Sequence, residues 1–211
     1  MVDSNRRAAV FLDRDGVINV DHGYVHQIDR FEFLPGIFEL ARFVATELRW
    51  PLIVTTNQAG IGRGYFSEAA YEELTKWMCE RFAAAAAPIA RVYHCPYHPE
   101  AGRAEFRRDH PWRKPRPGMI LQAAQDFDLD LKRSIMIGDR MSDMECAAQA
   151  GIEVRILLDP HGIEPAQHLP AHDIVRDLPE ALALLRARHA AGVAGQGPHV
   201  GERSWAGHRP A

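Results

Sequence analysis

Residues Ala8–Leu12 (AAVFL) form an unbroken apolar run that ends at a cluster of acids. A run without alternation is the pattern of a parallel strand buried on both faces. After Pro35-Gly36, the apolar positions Ile37, Leu40, Ala41, Val44 and Leu48 recur at helical spacing, with proline near the first turn. Pro51–Thr55 (PLIVT) predicts a second buried strand, so the first unit is βαβ. Ser67 is placed to cap a further helix, with Glu68 in its first turn and Ala70, Leu74, Trp77, Met78 and Phe82 on one face, as far as Pro88.

A short strand is predicted around Arg91–Tyr93. His94–Arg116, rich in His, Pro and Arg, has no period and is expected to be an ordered loop. A helix from Pro117, a strand at Ser134–Ile137, a helix over Ser142–Ala150 closed by Gly151 and a strand at Val154–Leu158 follow. This alternation predicts an α/β fold with a Rossmann-like, mostly parallel sheet flanked by helices. There is no internal repeat and no substantial insertion, so no large cap domain is expected. From about Arg188 glycines are frequent and no apolar face recurs, which predicts a domain over residues 1–187 and a flexible tail over 188–211.

Composition narrows the function classes. The 211 residues fit one core, and a net charge of −3 supplies no positive field to gather nucleic acid. No apolar run approaches the roughly 20 residues of a membrane span, and the polar Met1–Arg7 followed by five apolar residues does not make a secretory signal. Three widely spaced cysteines argue against a disulfide framework, and the expected location is the cytoplasm. The eleven histidines are the one unusual count, open to metal binding, acid–base chemistry or surface decoration.

Candidate chemistry gathers at the strand ends. Asp13-Arg14-Asp15-Gly16 follows the first strand, and two carboxylates at i and i+2 can share a divalent cation while doing different jobs. Such a match is also an ordinary surface turn; its place after a buried strand favours the functional reading. Thr56-Asn57-Gln58 follows the second strand in the same way, where open α/β sheets bind ligands, although these residues also suit a plain helix cap. Arg113-Lys114-Pro115 precedes a helix, and Gly138-Asp139-Arg140 follows the strand SIMI. Two cations can neutralise phosphate oxygens, Arg by paired hydrogen bonds and Lys as a point charge, while Asp139 could complete a metal site.

This set, in this order, resembles the haloacid dehalogenase-like phosphatase superfamily. The stretches FLDRDGVINVDHGYVHQIDRFEFLPG, VTTNQAGIGRGYF, RKPRPGM and IGDRMSDMECAAQAGI are similar to the family of D-glycero-D-manno-heptose 1,7-bisphosphate 7-phosphatases and their near relatives, the histidinol-phosphate phosphatases. The resemblance spans about Ala8 to Leu158. It implies a Mg²⁺-dependent phosphatase in which Asp13 is the nucleophile and Asp15 the acid–base group. The metal would be held by Asp13, Asp15 through its backbone carbonyl, and Asp139. Thr56 and Lys114 would bind the transferring phosphoryl group. Asp21, His22, Gly23, Tyr24, Asn57, Gln58, Ala59, Arg113 and Arg140 would recognise a sugar bisphosphate, in the biosynthesis of nucleotide-activated heptose.

One stretch departs from the family. Relatives carry a zinc loop with a Cys-x-His pair and a later Cys-x-Cys pair, where this chain has Cys95-Pro96-Tyr97 and His110-Pro111-Trp112. Tyr97 and Trp112 are not structural zinc ligands, so the loop is expected to hold without zinc by packing of these aromatics with Pro96, Pro99 and Pro111. The alternative is a rearranged site from His94, Cys95, His98 and His110. Two rival functions remain: hydrolysis of histidinol phosphate or another small phosphomonoester, and a catalytically silent phosphate-binding module, which Asp15 argues against. A monomer with neither nucleic-acid nor membrane partners is expected.

Overall fold

The computed structural model describes residues 6–160 and 173–195. Strand β1 (Val10–Leu12) leads through a long turn to helix α1 (Ile37–Phe43), then β2 (Leu52–Asn57), a short helix α2 (Ala59–Arg63), α3 (Glu68–Ala84) and β3 (Ile89–Cys95). Helix α4 (Gly118–Phe127), β4 (Ile135–Gly138), α5 (Met141–Ala150), β5 (Val154–Leu158), β6 (Asp173–Val175) and α6 (Leu178–Gly195) complete the order. The six strands form one parallel sheet in the order β3-β2-β1-β4-β5-β6.

The central strands β1, β2 and β4 are buried on both faces because each face is covered. Val10 and Leu12 join Leu52, Val54, Ile135 and Ile137 under α1, α3 and α6, while Ala9, Phe11, Ile53 and Met136 pack beneath α4 and α5. The period of two is thus present, hidden by hydrophobic residues on both sides. Ser67 caps α3 as expected, its hydroxyl accepting from the Ala70 N–H at 3.1 Å.

The chain end differs from expectation. β6 and α6 were not predicted, and the tail expected from residue 188 begins inside α6, which stays helical to Gly195. Leu178, Ala181, Leu182 and Leu185 are buried, Arg188 pairs with Asp173 at 2.7 Å, and the ring of His189 meets Phe43 edge-on. Alanines carry the helix past the point where glycines suggest a break. The rest of the expected tail, 196–211, lies outside the described residues. Among the described residues no helix is long and apolar enough to cross a membrane.

All strands being parallel, their C-terminal ends share one edge, and the strand order reverses between β1 and β4. The crevice at such a reversal is where open α/β sheets take their ligands.

Candidate active site

Asp13 leaves β1 and Asp139 leaves β4 directly at this crevice, and the third acid there is Asp143, on the first turn of α5. One carboxylate oxygen from each of Asp13, Asp139 and Asp143 lies within 4.8 Å of the others. Gly16 allows the approach: its φ is +86°, and a Cβ there would overlap the Asp139 carboxylate. Asp143 was not singled out in the sequence, where an acid in a first helical turn reads as an ordinary dipole partner.

Lys114 supplies the ammonium at the centre. Its Nζ lies 2.6 Å from Asp143 Oδ1 and 3.0 Å from Asp13 Oδ2, and donates to the Thr55 carbonyl at 2.9 Å. These three acceptors match the three N–H groups of an ammonium. Asp13 and Asp143 hold the Lys114 pKa above its ordinary value despite burial, which pulls the other way. Asn57 fixes the backbone of Lys114 by two hydrogen bonds, donating to its carbonyl and accepting from its N–H, each at 3.1 Å.

Asp15 is held by a different set of partners. Its carboxylate accepts from Arg14 Nη2 at 2.8 Å, from Asn19 Nδ2 at 3.0 Å and from Gln58 Nε2 at 2.9 Å. Gln58 Nε2 also donates to Thr56 Oγ1 at 2.9 Å, which leaves the threonine hydroxyl proton available to a ligand. Gln58 therefore ties the expected acid to the expected phosphate binder. Arg14 is buried, donates to the Val25 carbonyl at 2.7 Å, and is a second participant that spacing alone did not reveal.

A cavity of about 460 Å³ opens over these groups. It is lined by Asp13, Asp15, Thr56, Asn57, Gln58, Ala59 and Lys114, and by Asp21, Gly23, Tyr24, Arg113 and Arg140. Asp21 and Arg140 are joined across it at 2.7 Å. His22, expected beside them, is not part of the lining; its ring lies 3.6 Å from Glu32. Gly23 and Tyr24 both take positive φ, so the turn carries His22 outward while Tyr24 faces the cavity. Arg63, His98 and Ser142 also line the cavity and were not expected there.

The rearranged zinc site does not assemble. His94 Nε2 is 2.6 Å from Glu68, Cys95 is buried with its thiol towards the Tyr97 carbonyl, His98 Nδ1 accepts from the N–H groups of Glu100 and Ala101, and His110 Nδ1 accepts from Trp112. Among the described residues, Asp13, Asp139 and Asp143 form the only group of His, Cys, Asp or Glu side chains positioned to share an ion. The loop packs through aromatic stacking: Tyr97 on His110 at 4.3 Å, Arg108 over Tyr97 at 4.2 Å, and Trp112 edge-on to Tyr93 at 6.0 Å. Arg113 donates to the Tyr97 carbonyl at 3.0 Å, which couples its position to this stack.

The acid group suits a hard divalent cation. Three carboxylates meet one ammonium, all donors are oxygen, and Asp139 Oδ1 is buried without a hydrogen-bond partner. Burial pushes Asp13 up to about 7, with Lys114 opposing, and burial with repulsion from Asp13 and Asp143 pushes Asp139 up to about 8. A bound cation relieves both. Both Asp143 oxygens are engaged, by Lys114 and by the Arg140 N–H at 3.1 Å, and both Asp13 oxygens by the Arg14 N–H at 2.6 Å and by Lys114, whereas Asp139 keeps an oxygen with no hydrogen-bond partner.

Comparison with known proteins agrees with this geometry. A HAD-hydrolase-like family model matches residues 111–181. The chain is 52% identical over 153 residues to a D-glycero-alpha-D-manno-heptose-1,7-bisphosphate 7-phosphatase of Burkholderia mallei, covering 72% of this chain and 80% of the relative. The chain belongs to the HAD-like phosphatases. A D-glycero-beta-D-manno-heptose-1,7-bisphosphate 7-phosphatase of Salmonella typhi is 42% identical over 178 residues, covering 82% of this chain and 94% of its own. Among solved structures, a D,D-heptose 1,7-bisphosphate phosphatase from B. bronchiseptica, complexed with magnesium and phosphate, superposes with a TM-score of 0.72 at 28% identity, covering 86% and 99% of the two chains.

Proposed function

We propose that this chain is a Mg²⁺-dependent phosphatase that removes the 7-phosphate of D-glycero-D-manno-heptose 1,7-bisphosphate. The observation that carries the reading is the convergence of Asp13, Asp139 and Lys114 at the strand-order reversal, beneath a polar cavity of sugar-phosphate size. Mg²⁺, held by Asp13, Asp139 and the Asp15 backbone carbonyl, would neutralise charge on the reacting phosphate.

Asp13 attacks phosphorus, the bond to the sugar oxygen breaks, and the phosphoryl group passes to the Asp13 carboxylate. Asp15 protonates the departing sugar oxygen, for which its carboxylate swings from the Arg14 and Gln58 contacts towards the cavity it already lines. Now deprotonated, Asp15 takes a proton from water; the water oxygen attacks phosphorus, inorganic phosphate leaves and Asp13 is restored. Lys114, seated on Asp13, and the Thr56 hydroxyl stabilise the charge on the transferring oxygens, where most of the catalytic effect is electrostatic. Asp21, Tyr24, Arg113 and Arg140 border the volume left for the sugar. We place the protein in the cytoplasm as a monomer that feeds nucleotide-activated heptose biosynthesis.

The test is phosphate release with Mg²⁺ from both anomers of the bisphosphate beside histidinol phosphate, comparing specificity constants. The bisphosphate is expected to win. A clear preference for histidinol phosphate overturns the substrate assignment.

A further inference from the structure

Asp15 is held by a cation that the chain buries. Arg14 Nη2 donates to both oxygens of Asp15, at 3.0 and 2.8 Å, and to the Val25 carbonyl at 2.7 Å. Its Nε and Nη1 are buried with no hydrogen-bond partner among the described residues. The protons on those two atoms thus lack an acceptor, which is costly for a buried charge. Arg14 Cζ lies over the ring of Tyr71, 5.8 Å from its centre. An aromatic face favours a cation without accepting a directed hydrogen bond, the more so where water is excluded.

Tyr71 is positioned independently of Asp15. Ser67 caps α3, and Tyr71, one turn on, is buried in a small apolar cluster with Ile61 and Phe66, separate from the two cores that flank the sheet. From β3 the His94 ring packs against it, the ring centres 4.3 Å apart, and His94 Nε2 is 2.6 Å from Glu68 on the first turn of α3. Helix and strand therefore brace the same ring.

In the reaction above, Asp15 leaves Arg14 for the cavity, and that movement strips a buried cation of its carboxylate. A neighbouring group shifts such an equilibrium only by interacting differently with the two states. While the carboxylate is in place the ring adds little; once it has gone, the ring and the Val25 carbonyl are what the guanidinium keeps. We propose that Tyr71 is a positioning residue for the acid–base step, holding the Arg14 charge while Asp15 is in the cavity and so allowing Asp15 to leave and return. The proposal rests on the phosphatase reading and on the two roles that reading gives Asp15.

The test compares the full chain with Mg²⁺ as wild type, Tyr71→Leu, Tyr71→Phe and a series with singly, doubly and triply ring-fluorinated phenylalanine at position 71. Fluorine drains electron density from the ring face while nearly keeping its size, so the series isolates the contact with the cation. On the heptose bisphosphate, Tyr71→Leu is expected to lower kcat about tenfold or more with KM within about twofold. Tyr71→Phe stays near wild type, and log kcat falls steadily with fluorine number. p-Nitrophenyl phosphate separates the two half-reactions, because its leaving group departs without a proton while breakdown of the aspartyl-phosphate still needs Asp15. Tyr71→Leu should release about one equivalent of nitrophenolate per enzyme in a burst and then turn over slowly. Loss of folded protein, followed by thermal melting, lowers both phases together and creates no burst. A flat fluorine series overturns the brace, even where Tyr71→Leu does not fold, and so does a loss confined to KM or an absent burst. If wild type cleaves p-nitrophenyl phosphate but not the heptose ester, the substrate assignment falls and the brace is judged on the former. If it cleaves neither, the phosphatase reading falls and takes the brace with it.

Discussion

Arg14 and Asp15 are chain neighbours whose side chains turn back on each other, Nη2 lying 2.8 Å from Oδ2 with the arginine 1% exposed. The geometry is possible because the N–H groups of Ile18 and Asn19 both return to the Arg14 carbonyl, curling the chain into a tight turn. A buried ion pair gains little over an apolar replacement of both partners, but losing one partner leaves a charge that burial has stripped of water. Arg14→Met should therefore destabilise the fold by about 3 kcal/mol, read from urea unfolding midpoints and slopes. An unchanged midpoint would show that Asp15 does not depend on this pair.

Asp143 shares the Lys114 ammonium with Asp13 and so sets where that charge sits. Asp143→Asn keeps the shape and the hydrogen bond from the Arg140 N–H, but removes the negative charge beside Lys114. Groups that orient a reacting side chain from behind it commonly contribute 10–100-fold, so kcat/KM should fall by about that factor while secondary structure by circular dichroism is kept. Activity within about twofold of wild type would reduce Asp143 to a helix cap.

Which parts of this site could be read from sequence follows from how each residue reaches it. Asp13 and Asp139 follow buried apolar strands and Thr56 lies at the C-terminal end of one, so a linear pattern already places them at the sheet edge. Asp143 and Arg14 depend on side-chain direction, which spacing does not encode. His22 and Tyr24 are two residues apart in a turn with positive φ, and only the fold shows that Tyr24 faces the cavity. Strand β6 has three residues, too few for a period, and the ALALL run of α6 is apolar on all sides, which conceals its buried face. In the loop after β3 the sequence suggests packing of Tyr97 and Trp112 with Pro96, Pro99 and Pro111; the stacking of Tyr97 on His110 needed the fold to bring residues 97 and 110 together.

The acid group makes stability and metal binding depend on pH. Without a cation, Asp13 holds its proton to about pH 7 and Asp139 to about pH 8, whereas unfolded carboxylates release theirs near pH 4. The folded state thus binds more protons, so this contribution is full below about pH 4 and is lost as pH rises through about 7 and 8. Mg²⁺ needs the deprotonated carboxylates, so its apparent affinity should climb from about pH 6 to pH 8, and the melting-temperature gain from Mg²⁺ should widen over the same range. Calorimetric titration at several pH values checks this. A pH-independent affinity would mean that Asp13 and Asp139 are not the ligands.

Tyr97 links the loop's stacking to the site, since its ring rests on His110 and its carbonyl accepts from Arg113. If aromatic packing alone shapes the loop, it should respond to loss of a ring and not to chelation of zinc. Tyr97→Ala removes the stack on His110 and the contact with Arg108, so Arg113 should lose its fixed position and KM for the bisphosphate should rise about tenfold. Tyr97→Phe keeps the ring and should stay near wild type. Treatment with a zinc-selective chelator, followed by repletion with Mg²⁺, should leave both KM and kcat unchanged. The packing account fails if chelation reproduces the Tyr97→Ala effect and added zinc reverses it, because the loop would then owe its shape to a metal.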